Sequence, residues 1–478
     1  MLSNSPLPLA LLCVVGMGLG GAEGAFAAQA NLIDVYSEAV QNDPDLGAAK
    51  AEYAARREVV PQARAALLPN LSAGAVVGDT RTAFDQPSVT SARSGNAYHA
   101  TLTQPVFHVE RWFQLSAAEA VSEQAMAQLA DVQQNLVLRS AEDYFEALRA
   151  LDNLAATKAE EAAFKYQLDQ ANARFATGLA DKTDALQAQA SYDRSHADRI
   201  LSERQVDDAL EAVSTLTNHE HRSLQGIMHE LPLLPPSPPD ASAWVDTAIK
   251  QNLSLRASDY AVDSAGETVK QRKAGHAPTL DLVARLQKGD NDSLGFTNPS
   301  KTGARYGGYI EQRTVVLELN IPIYSGGLVN SQVTEAVARL DESQQQREGL
   351  RRRAVESARN LYRAVTTDVD QAKARSQSIL SNQNAVKATE IGYQVGTRNI
   401  VDVLDSQRQL FTAVRDYNNS RYDYLLHTLQ LKRAAGTLSP ADLQALQGYF
   451  KADYNPDKDF LPPRLDHDVR RRSAVSGM

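Results

Sequence analysis

Two very long stretches with no proline and almost no glycine constrain this chain more than any other feature. Residues 106–177 contain neither residue type, and residues 329–394 contain no proline. Because proline and glycine are the usual helix breakers, each stretch predicts one helix of about 70 residues, on the order of 100 Å long. Shorter helices are predicted to follow at 182–217 and 400–435. Alanine-rich, heptad-like patterns favour side-by-side packing of these helices, as in coiled coils.

The chain carries an internal duplication, seen as matched landmarks about 209 to 218 residues apart and in the same order. The pairs are EAVQN at 38–42 with TAIKQN at 247–252, LPNL at 68–71 with APTL at 277–280, LTQPVF at 102–107 with LNIPIY at 319–324, and RFATG at 174–178 with GYQVG at 392–396. They predict two structural repeats, 28–230 and 240–438, joined by the stiff proline-rich linker LPLLPPSPP at 231–239. Each repeat is expected to contain a first helix, two strands and two longer helices, with the long helices over 109–217 and 329–435.

After the first helix of each repeat, predicted at 45–67 and 253–276, the apolar period changes from 3.6 to two. The alternating segments form two predicted strand hairpins, 70–105 and 279–322, whose polar connections at 79–96 and 289–311 are expected to be surface loops. Strands of roughly 9 to 11 residues can cross a bilayer when tilted. For any single strand, an ordinary half-buried sheet is the better interpretation. Four strands cannot close a barrel alone.

Both ends of the chain carry their own signals. An apolar run followed by Ala-Phe-Ala at 25–27 predicts a signal peptide over 1–27, although no Lys or Arg precedes the run. The single cysteine, Cys13, lies within it, so the mature chain is expected to have no disulfide, thiolate metal site or cysteine nucleophile. No run of 18 or more apolar residues follows the signal peptide, so no transmembrane helix is predicted. The last part, 439–478, is expected to be a short helix followed, from 455, by a disordered tail.

The segment GYQVGTRNIVDVLD at 392–405 interrupts the helical pattern. Gly392 and Gly396 can end a helix, and Asn399 is a good first cap for the next one. Asp402 and Asp405, three residues apart, would share a helix face and form stacked acidic rings if copies of the chain met around an axis. The alternative is structural: Asn399 with Asp402 has the spacing of a capping box, and the helix dipole favours acids in a first turn.

Enzymatic and nucleic-acid-binding functions find little support in the sequence. The histidine cluster at 219–221, with His229 nearby, favours a surface turn over a zinc site, because no carboxylate partner is evident. The paired glycines at 326–327 lack the Lys-Ser/Thr of a phosphate-binding loop. A formal net charge of -9 does not indicate the basic surface that nucleic-acid binding requires. No enzyme activity, cofactor or metal is therefore predicted.

Three segments carry a more specific pattern: 31–69, which begins NLIDVYSEAVQNDP and ends QARAALLP, YQVGTRNIVDVLD at 393–405, and RYDYLLHTLQLKRAAGTL at 421–438. They resemble the TolC family of trimeric outer-membrane efflux and export ducts. The resemblance extends over about residues 31–446. It implies a homotrimer in which each chain gives four strands to one twelve-stranded β-barrel in outer-membrane lipid, continuous with a long α-helical barrel crossing the periplasm.

The resemblance also implies side-chain roles in the strands. Leu282 and Leu317 would face lipid, whereas Asp281, Arg285 and Glu318 would face the watery lumen. It further implies a passive exit duct, opened by a periplasmic adaptor and an inner-membrane ABC exporter or proton-driven pump. The cargo, secreted protein or small molecules, stays open.

At the periplasmic end, the resemblance assigns a closed constriction to the segment at 392–405. Asp402 and Asp405 would form its acidic ring. The contacts that hold the closed state would join Tyr393 and Arg398 to the equivalent turn of the first repeat, at Thr183 and Asp184. Asp184 and Asp402 occupy matching positions of the two repeats.

An alternative function is a periplasmic coiled-coil adaptor or adhesin without a pore. An adaptor is expected to have one helical hairpin flanked by compact β domains. This chain has two pairs of long helices and two strand hairpins, which favours the duct.

Overall fold

A computed structural model describes residues 29–86, 88–290 and 309–462 of the chain. The first half contains α1 (Leu32–Asn42), α2 (Pro44–Arg57), α3 (Val59–Ala65), β1 (Asn70–Phe84), β2 (Val89–Phe107), α4 (Val109–Ala176) and α5 (Lys182–Thr217). After β3 (Gly226–Ile227) come α6 (Ala241–Gln251), α7 (Leu253–Lys273), β4 (Thr279–Asp290), β5 (Tyr309–Asn320), α8 (Leu328–Gln394) and α9 (Ile400–Ala434). The chain continues through α10 (Pro440–Leu446), β6 (Phe450–Lys451) and α11 (Pro456–Asp459). The predicted class, mainly helical with four long strands, is confirmed. The predicted signal peptide lies outside the described residues.

The two halves begin their helices with the same chemistry. Asp43 caps α2, its carboxylate accepting the backbone N–H of Leu46 at 2.7 Å. At the matching place in the second half, Asn252 caps α7 and accepts the N–H of Leu255 at 3.0 Å. Each cap satisfies a backbone donor that the first helical turn leaves free. The duplication therefore preserves the capping interaction that sets where these helices start, although the capping residue differs.

The first helix of the first half is broken, which corrects the predicted continuous helix over 45–67. α2 ends before Glu58, and α3 then runs only as far as Ala65. Pro61 lies in the first turn of α3, where its missing N–H removes no helical hydrogen bond. In a continuous helix, the N–H of residue 61 would have to donate a hydrogen bond to the preceding turn. Because proline has no N–H, one helix ends and a new helix begins here.

The four long strands form one antiparallel sheet in the order β1-β2-β4-β5. Leu282 pairs with Leu317, and Asp281 with Glu318, so apolar and polar side chains lie on opposite faces. On the apolar face, Val315, Leu317 and Leu319 are between 59% and 72% exposed. Among the described residues, the edge strands β1 and β5 pair with no further strand. An apolar face this open, on such a sheet, is suited to lipid rather than to water.

The connection predicted as a loop over 79–96 is mostly strand. β1 and β2 stay paired from Asn70 opposite Thr103 to Phe84 opposite Val89, which leaves a short turn. Backbone hydrogen bonds continue this hairpin after the apolar alternation ends, and the side-chain pattern could not reveal them. The second predicted loop begins with the end of β4 and finishes with the start of β5. Its residues 291–308 lie outside the described part of the chain.

The main core lies midway along the helices and joins both halves. Tyr144, Phe145 and Leu148 of α4 are completely buried, and Tyr422 of α9 packs against Phe145. β3 pairs with β6 beside this core. Residues of both repeats, far apart in sequence, thus pack into one apolar core.

The tail predicted to be disordered from residue 455 is ordered as far as Pro462. It forms α11, and Tyr454 and Phe460 are only 5% and 3% exposed. These two aromatic side chains fill space beside α4 and α9, which compensates for the entropy lost on ordering. Residues 463–478 of the predicted tail lie outside the described residues.

Gly436, just after α9, is expected to be irreplaceable. Its φ is +75°, and a Cβ there would lie 2.1 Å from the Gln251 carbonyl oxygen. Gly178 has a similar φ of +74° with open space around it. Gly178→Ala should lower the free energy of unfolding by roughly 1–2 kcal/mol, because alanine disfavours the left-handed backbone conformation. Gly436→Ala should lower it distinctly more, because the backbone at Gln251 must also move to make room for the new Cβ. Thermal unfolding of the two variants in detergent measures the difference; equal midpoints would contradict it.

Candidate functional site

The turns that connect α4 to α5 and α8 to α9 lie together at one end of the helices. An apolar cluster joins them, formed by residues of both halves: Phe164, Leu168, Ala171, Ala188, Tyr393, Ile400, Val403 and Leu404. The structure therefore brings Tyr393 and the start of α9 against the first half. This arrangement is the candidate gate region.

Both turns have the same backbone design. Gly396 and Gly178 have φ values of +82° and +74°. The N–H of Thr397 bonds the Gly392 carbonyl at 2.8 Å, and the N–H of Leu179 bonds the Arg174 carbonyl at 2.8 Å. Each is a Schellman-type helix end, which favours glycine at the left-handed position. The sequence signal for these two turns was the matched glycine spacing.

Asn399 caps α9, as predicted, and its side chain accepts the backbone N–H of Asp402 at 2.9 Å. The Asp402 carboxylate lies 3.8 Å from the Arg398 guanidinium. Asp402 thus contributes its backbone N–H to the cap, while its carboxylate points to a neighbouring cation. At the first turn, Asp181 caps α5 but binds a donor one position earlier, accepting the N–H of Thr183 at 3.5 Å.

Each of the two predicted ring acids has an arginine beside it. Asp405 is exposed and forms a 2.9 Å ion pair with Arg408. The Arg408 guanidinium also lies 5.6 Å from the centre of the Phe164 ring. Arg398 rests against Gly392, where a Cβ would lie 2.7 Å from the arginine Cγ. Sequence reasoning missed Arg408, although its spacing of three from Asp405 was a usable signal.

Tyr393 is the residue that links the two turns most directly. It is 7% exposed, and the Arg174 guanidinium lies 4.7 Å from its ring centre. Burial raises the pKa of Tyr393; the Arg174 charge opposes this and the Asp184 charge adds to it. Within the described residues, its buried hydroxyl has no hydrogen-bond partner. The sequence did not indicate Arg174, which belongs to the other repeat.

The two turns differ in what covers them. Tyr393 and Leu404 are 7% and 2% exposed, whereas Phe175 and Leu186, at the matching positions of the first repeat, are 45% and 59% exposed. Within one chain, the apolar side chains of the second turn are therefore buried, whereas those at the matching positions of the first turn are exposed.

The histidines at 219–221 have a carboxylate partner that the sequence did not reveal. Glu38 lies 3.4 Å from His219 and 3.0 Å from His221. His229 is elsewhere and contacts Arg421 at 3.1 Å. In the part of the chain that the structure describes, no group of three or more His, Cys, Asp or Glu side chains is arranged to hold a metal ion.

Within residues 29–86, 88–290 and 309–462, no helix combines the length and apolar character needed to span a membrane.

Comparison with known proteins decides the family. The model of the family described as outer membrane efflux protein matches residues 35–219 and 244–437. The chain belongs to the outer membrane efflux protein family. It is 34% identical to outer membrane protein TolC of Vibrio cholerae serotype O1 over 91% of this chain and 97% of that protein. It is 28% identical to alkaline protease secretion protein AprF of Pseudomonas aeruginosa, over 91% of this chain and 90% of that protein.

The fold agrees with a solved structure of the same kind. The outer membrane protein VceC from Vibrio cholerae superposes with a TM-score of 0.73 at 18% identity, over 85% of this chain and 96% of that chain. This outer membrane efflux protein is therefore an outer-membrane exit duct, as predicted. The alternative of an adaptor or adhesin without a pore is wrong. The family is one of transport channels rather than of enzymes.

The cap at the start of α9 predicts a separation of roles between two neighbouring residues. Asn399→Ala should destabilise the first turn of α9 by ~1 kcal/mol, since a backbone donor loses its acceptor. Asp402→Asn keeps the N–H that Asn399 binds and should leave that turn intact. Hydrogen exchange of the peptide covering 400–405 is expected to rise about 5-fold in the first variant only. Equal rises would show that the Asp402 carboxylate stabilises the turn through the helix dipole.

Proposed function

We propose that three copies of this outer membrane efflux protein close into one tube. The observation that carries the proposal is the four-stranded sheet with an exposed apolar face and two free edges, which continues directly into helices of 68 and 67 residues. In lipid, every backbone group of a strand must be paired, so the edges β1 and β5 must meet neighbouring copies. Three copies would make a twelve-stranded barrel continuous with helices on the order of 100 Å long.

The two faces of the sheet give each side chain its place in this tube. Leu282 and Leu317, a cross-strand pair, would face lipid. Asp281, Arg285 and Glu318 lie on the opposite face and would line the lumen. A wet lumen and an apolar exterior require this alternation.

The far ends of the helices would form the closed periplasmic gate. Tyr393 already packs on the first half beside Arg174, with Asp184 close enough to influence its pKa. We infer that Tyr393 and Arg398 hold the closed state through Thr183 and Asp184. The exposed Phe175 and Leu186 of the first turn supply an apolar face for the next copy.

The duct would act with an energised inner-membrane transporter and a periplasmic adaptor. The relative in Pseudomonas aeruginosa is named for alkaline protease secretion, and the family description names efflux. We propose that this chain serves type I protein secretion as well as small-molecule efflux. Deleting the gene and measuring both secreted protein and drug susceptibility separates the two cargoes.

Asp402 and Asp405 are expected to make the gate cation-selective. Replacing both with alanine should lower the cation-to-anion permeability ratio several-fold and weaken block by divalent cations, because six carboxylates leave the constriction. Arg408→Gln should raise the cation-to-anion permeability ratio, since it removes the positive charge that pairs with Asp405. Reversal potentials across planar bilayers in a KCl gradient measure both effects.

Gln187→Ala is the matched control, because Gln187 occupies the position in the first repeat that Asp405 occupies in the second. It removes no charge and should leave selectivity unchanged. Unaltered selectivity in the double alanine variant would count against the acidic ring.

The gate contacts predict a change in conductance. Arg398→Ser combined with Tyr393→Phe should raise the closed-state current of the purified channel, because it removes the two polar groups that the proposed closed state holds against Thr183 and Asp184. Arg359→Ser changes an exposed arginine of α8 far from the turn and serves as the control. A double variant with the same closed-state current as the parent would argue that these residues do not hold the gate.

A further inference from the structure

A polar cavity lies between α8 and α9, beyond the turn that joins them. It has a volume of about 380 Å³, and its lining includes Arg375 and Ser378 of α8 with Arg408, Gln409, Thr412 and Asp416 of α9. We call it the arginine cavity. Two guanidinium groups on one small cavity repel each other, and an anion between them relieves that repulsion.

Arg375 is oriented in the cavity but is not neutralised there. The side chain is half-buried, and its Nη1 donates to the backbone carbonyl of Asp416 at 2.8 Å, which links α8 to α9. A carbonyl oxygen carries only a partial charge, and a guanidinium has five N–H donors, so donors remain for a ligand. The planar fork of arginine matches the two oxygens of a carboxylate.

Arg408 is shared between the cavity and the proposed acidic ring. Its Nη1 lies 2.9 Å from the carboxylate of Asp405. The side chains of Arg408 and Asp405 are 33% and 53% exposed, so water screens their attraction and the pair is weak. An anion in the cavity can therefore compete with Asp405 for the Arg408 charge.

Two hydroxyl groups add neutral donors to the lining. The Thr412 hydroxyl accepts from Arg415, and the Ser378 hydroxyl accepts from Asn382, each at 3.2 Å. A hydroxyl that accepts in this way still has its own O–H to donate. Asp416, the acidic member of the lining, opposes anions and disfavours highly charged ones most. The lining therefore suits a small carboxylate that is bound weakly.

The cavity lies on the same face of α9 as the two proposed ring acids. Steps of three and four residues along this face lead from Asp402 through Asp405, Gln409 and Thr412 to Asp416. Because the proposed function places the two acids at the pore, this face of α9 borders the lumen. Thr412 is seven residues beyond Asp405, ~10 Å along the helix. An anion that passes the acidic ring thus meets the arginine cavity next.

The first repeat does not match the two cations of the cavity. Thr157 and Ala190 occupy the positions of Arg375 and Arg408, 218 residues earlier in the chain. Packing of a long helix against its shorter partner therefore does not by itself require two arginines at these places. Three copies of the chain would carry three arginine cavities, one on each second repeat.

We propose that the arginine cavity binds carboxylate groups of cargo in the lumen and that Arg408 couples this binding to the acidic ring. The inference rests on the proposed function, because it requires Asp402 and Asp405 to line the pore. A carboxylate on Arg375 and Arg408 shares the Arg408 charge, so Asp405 contributes more of its negative charge to the constriction. Weak binding, with a dissociation constant of ~1 mM, suits a transport path because cargo must also leave.

Binding is tested with glutarate, a small dicarboxylate, on the purified and assembled channel in detergent. Calorimetric titration of the parent should give a dissociation constant of ~1 mM, and the neutral diamide glutaramide should not bind. Arg375→Gln should weaken glutarate binding about tenfold, because a charge-assisted hydrogen bond is lost.

Lys373→Gln is the matched control. Lys373 pairs with Asp370 on α8, so its replacement removes a positive charge from the same helix but outside the cavity. It should change the affinity less than about twofold, because water and salt screen an exposed charge. Equal glutarate affinity in Arg375→Gln and the parent would overturn the site, as would equal binding of glutarate and glutaramide.

Coupling to the acidic ring is tested by reversal potentials across planar bilayers, with and without glutarate. In the parent, saturating glutarate should raise the cation-to-anion permeability ratio about twofold, because Asp405 loses part of its compensating charge. Arg375→Gln keeps the pair of Arg408 with Asp405 and should lose this response. A parent that does not respond, or an Arg375→Gln variant that still does, would overturn the coupling.

The place of the cavity in the lumen is tested with Gln409→Cys. Gln409 is exposed, and the single cysteine of the chain, Cys13, lies in the predicted signal peptide. A negatively charged thiol reagent attached at position 409 should change the conductance of the channel. Modification with no change in current would place the cavity outside the lumen and overturn the role in cargo binding. A protein that forms no channel in bilayers would instead overturn the proposed function.

Discussion

Packing of α4 against α9 is the contact on which the rest of the molecule depends. α4 belongs to the first repeat and α9 to the second, and they meet at three levels. Tyr422 reaches Asp152 at 2.8 Å, Arg415 pairs with Glu160 at 2.7 Å, and Val403 joins Phe164 in the cluster at the turns. Most of the stability of a helix within a protein comes from packing of its apolar face, so α4 depends on the partners that cover that face. The duplication supplies that partner within one chain.

The repeats share a backbone design at the turns but not the same surroundings. Tyr393 is buried against the first half, and Phe175 at the matching position is largely open. In one chain, the apolar face of the second turn is buried, and the apolar face of the first turn is exposed and can contact another copy. That asymmetry suits assembly around an axis, where each open face meets the next copy. Asp402 and Asp405 at the second turn have arginine neighbours, so the electrostatic field at the proposed constriction depends on where those guanidinium groups lie.

Local signals predicted much of the fold, and the errors have identifiable causes. The absence of proline indicated α4 and α8, and glycine spacing indicated both turns. Pro61 was not predicted as part of a helix start, because the alanine-rich sequence on both sides of it favours one continuous helix. The hairpin beyond residue 78 and the order of the segment after Tyr454 were missed, because backbone pairing and burial against distant helices leave no periodic pattern. Glu38 and Arg174 escaped notice for the same reason: their partners lie in other elements.

The sequence alone determined the lengths of the helices, the alternation of the strands, the caps and the glycine turns, because each depends on residues close in the chain. It also identified Asp402 and Asp405 as acids on one helix face. Only the tertiary structure decided that Tyr393 packs beside Arg174 of the other repeat. It likewise placed Asp152 between Tyr422 of the second repeat and Tyr454 of the segment that follows the repeat. These outcomes depend on which helices meet, and that is set by packing over the whole length of the molecule.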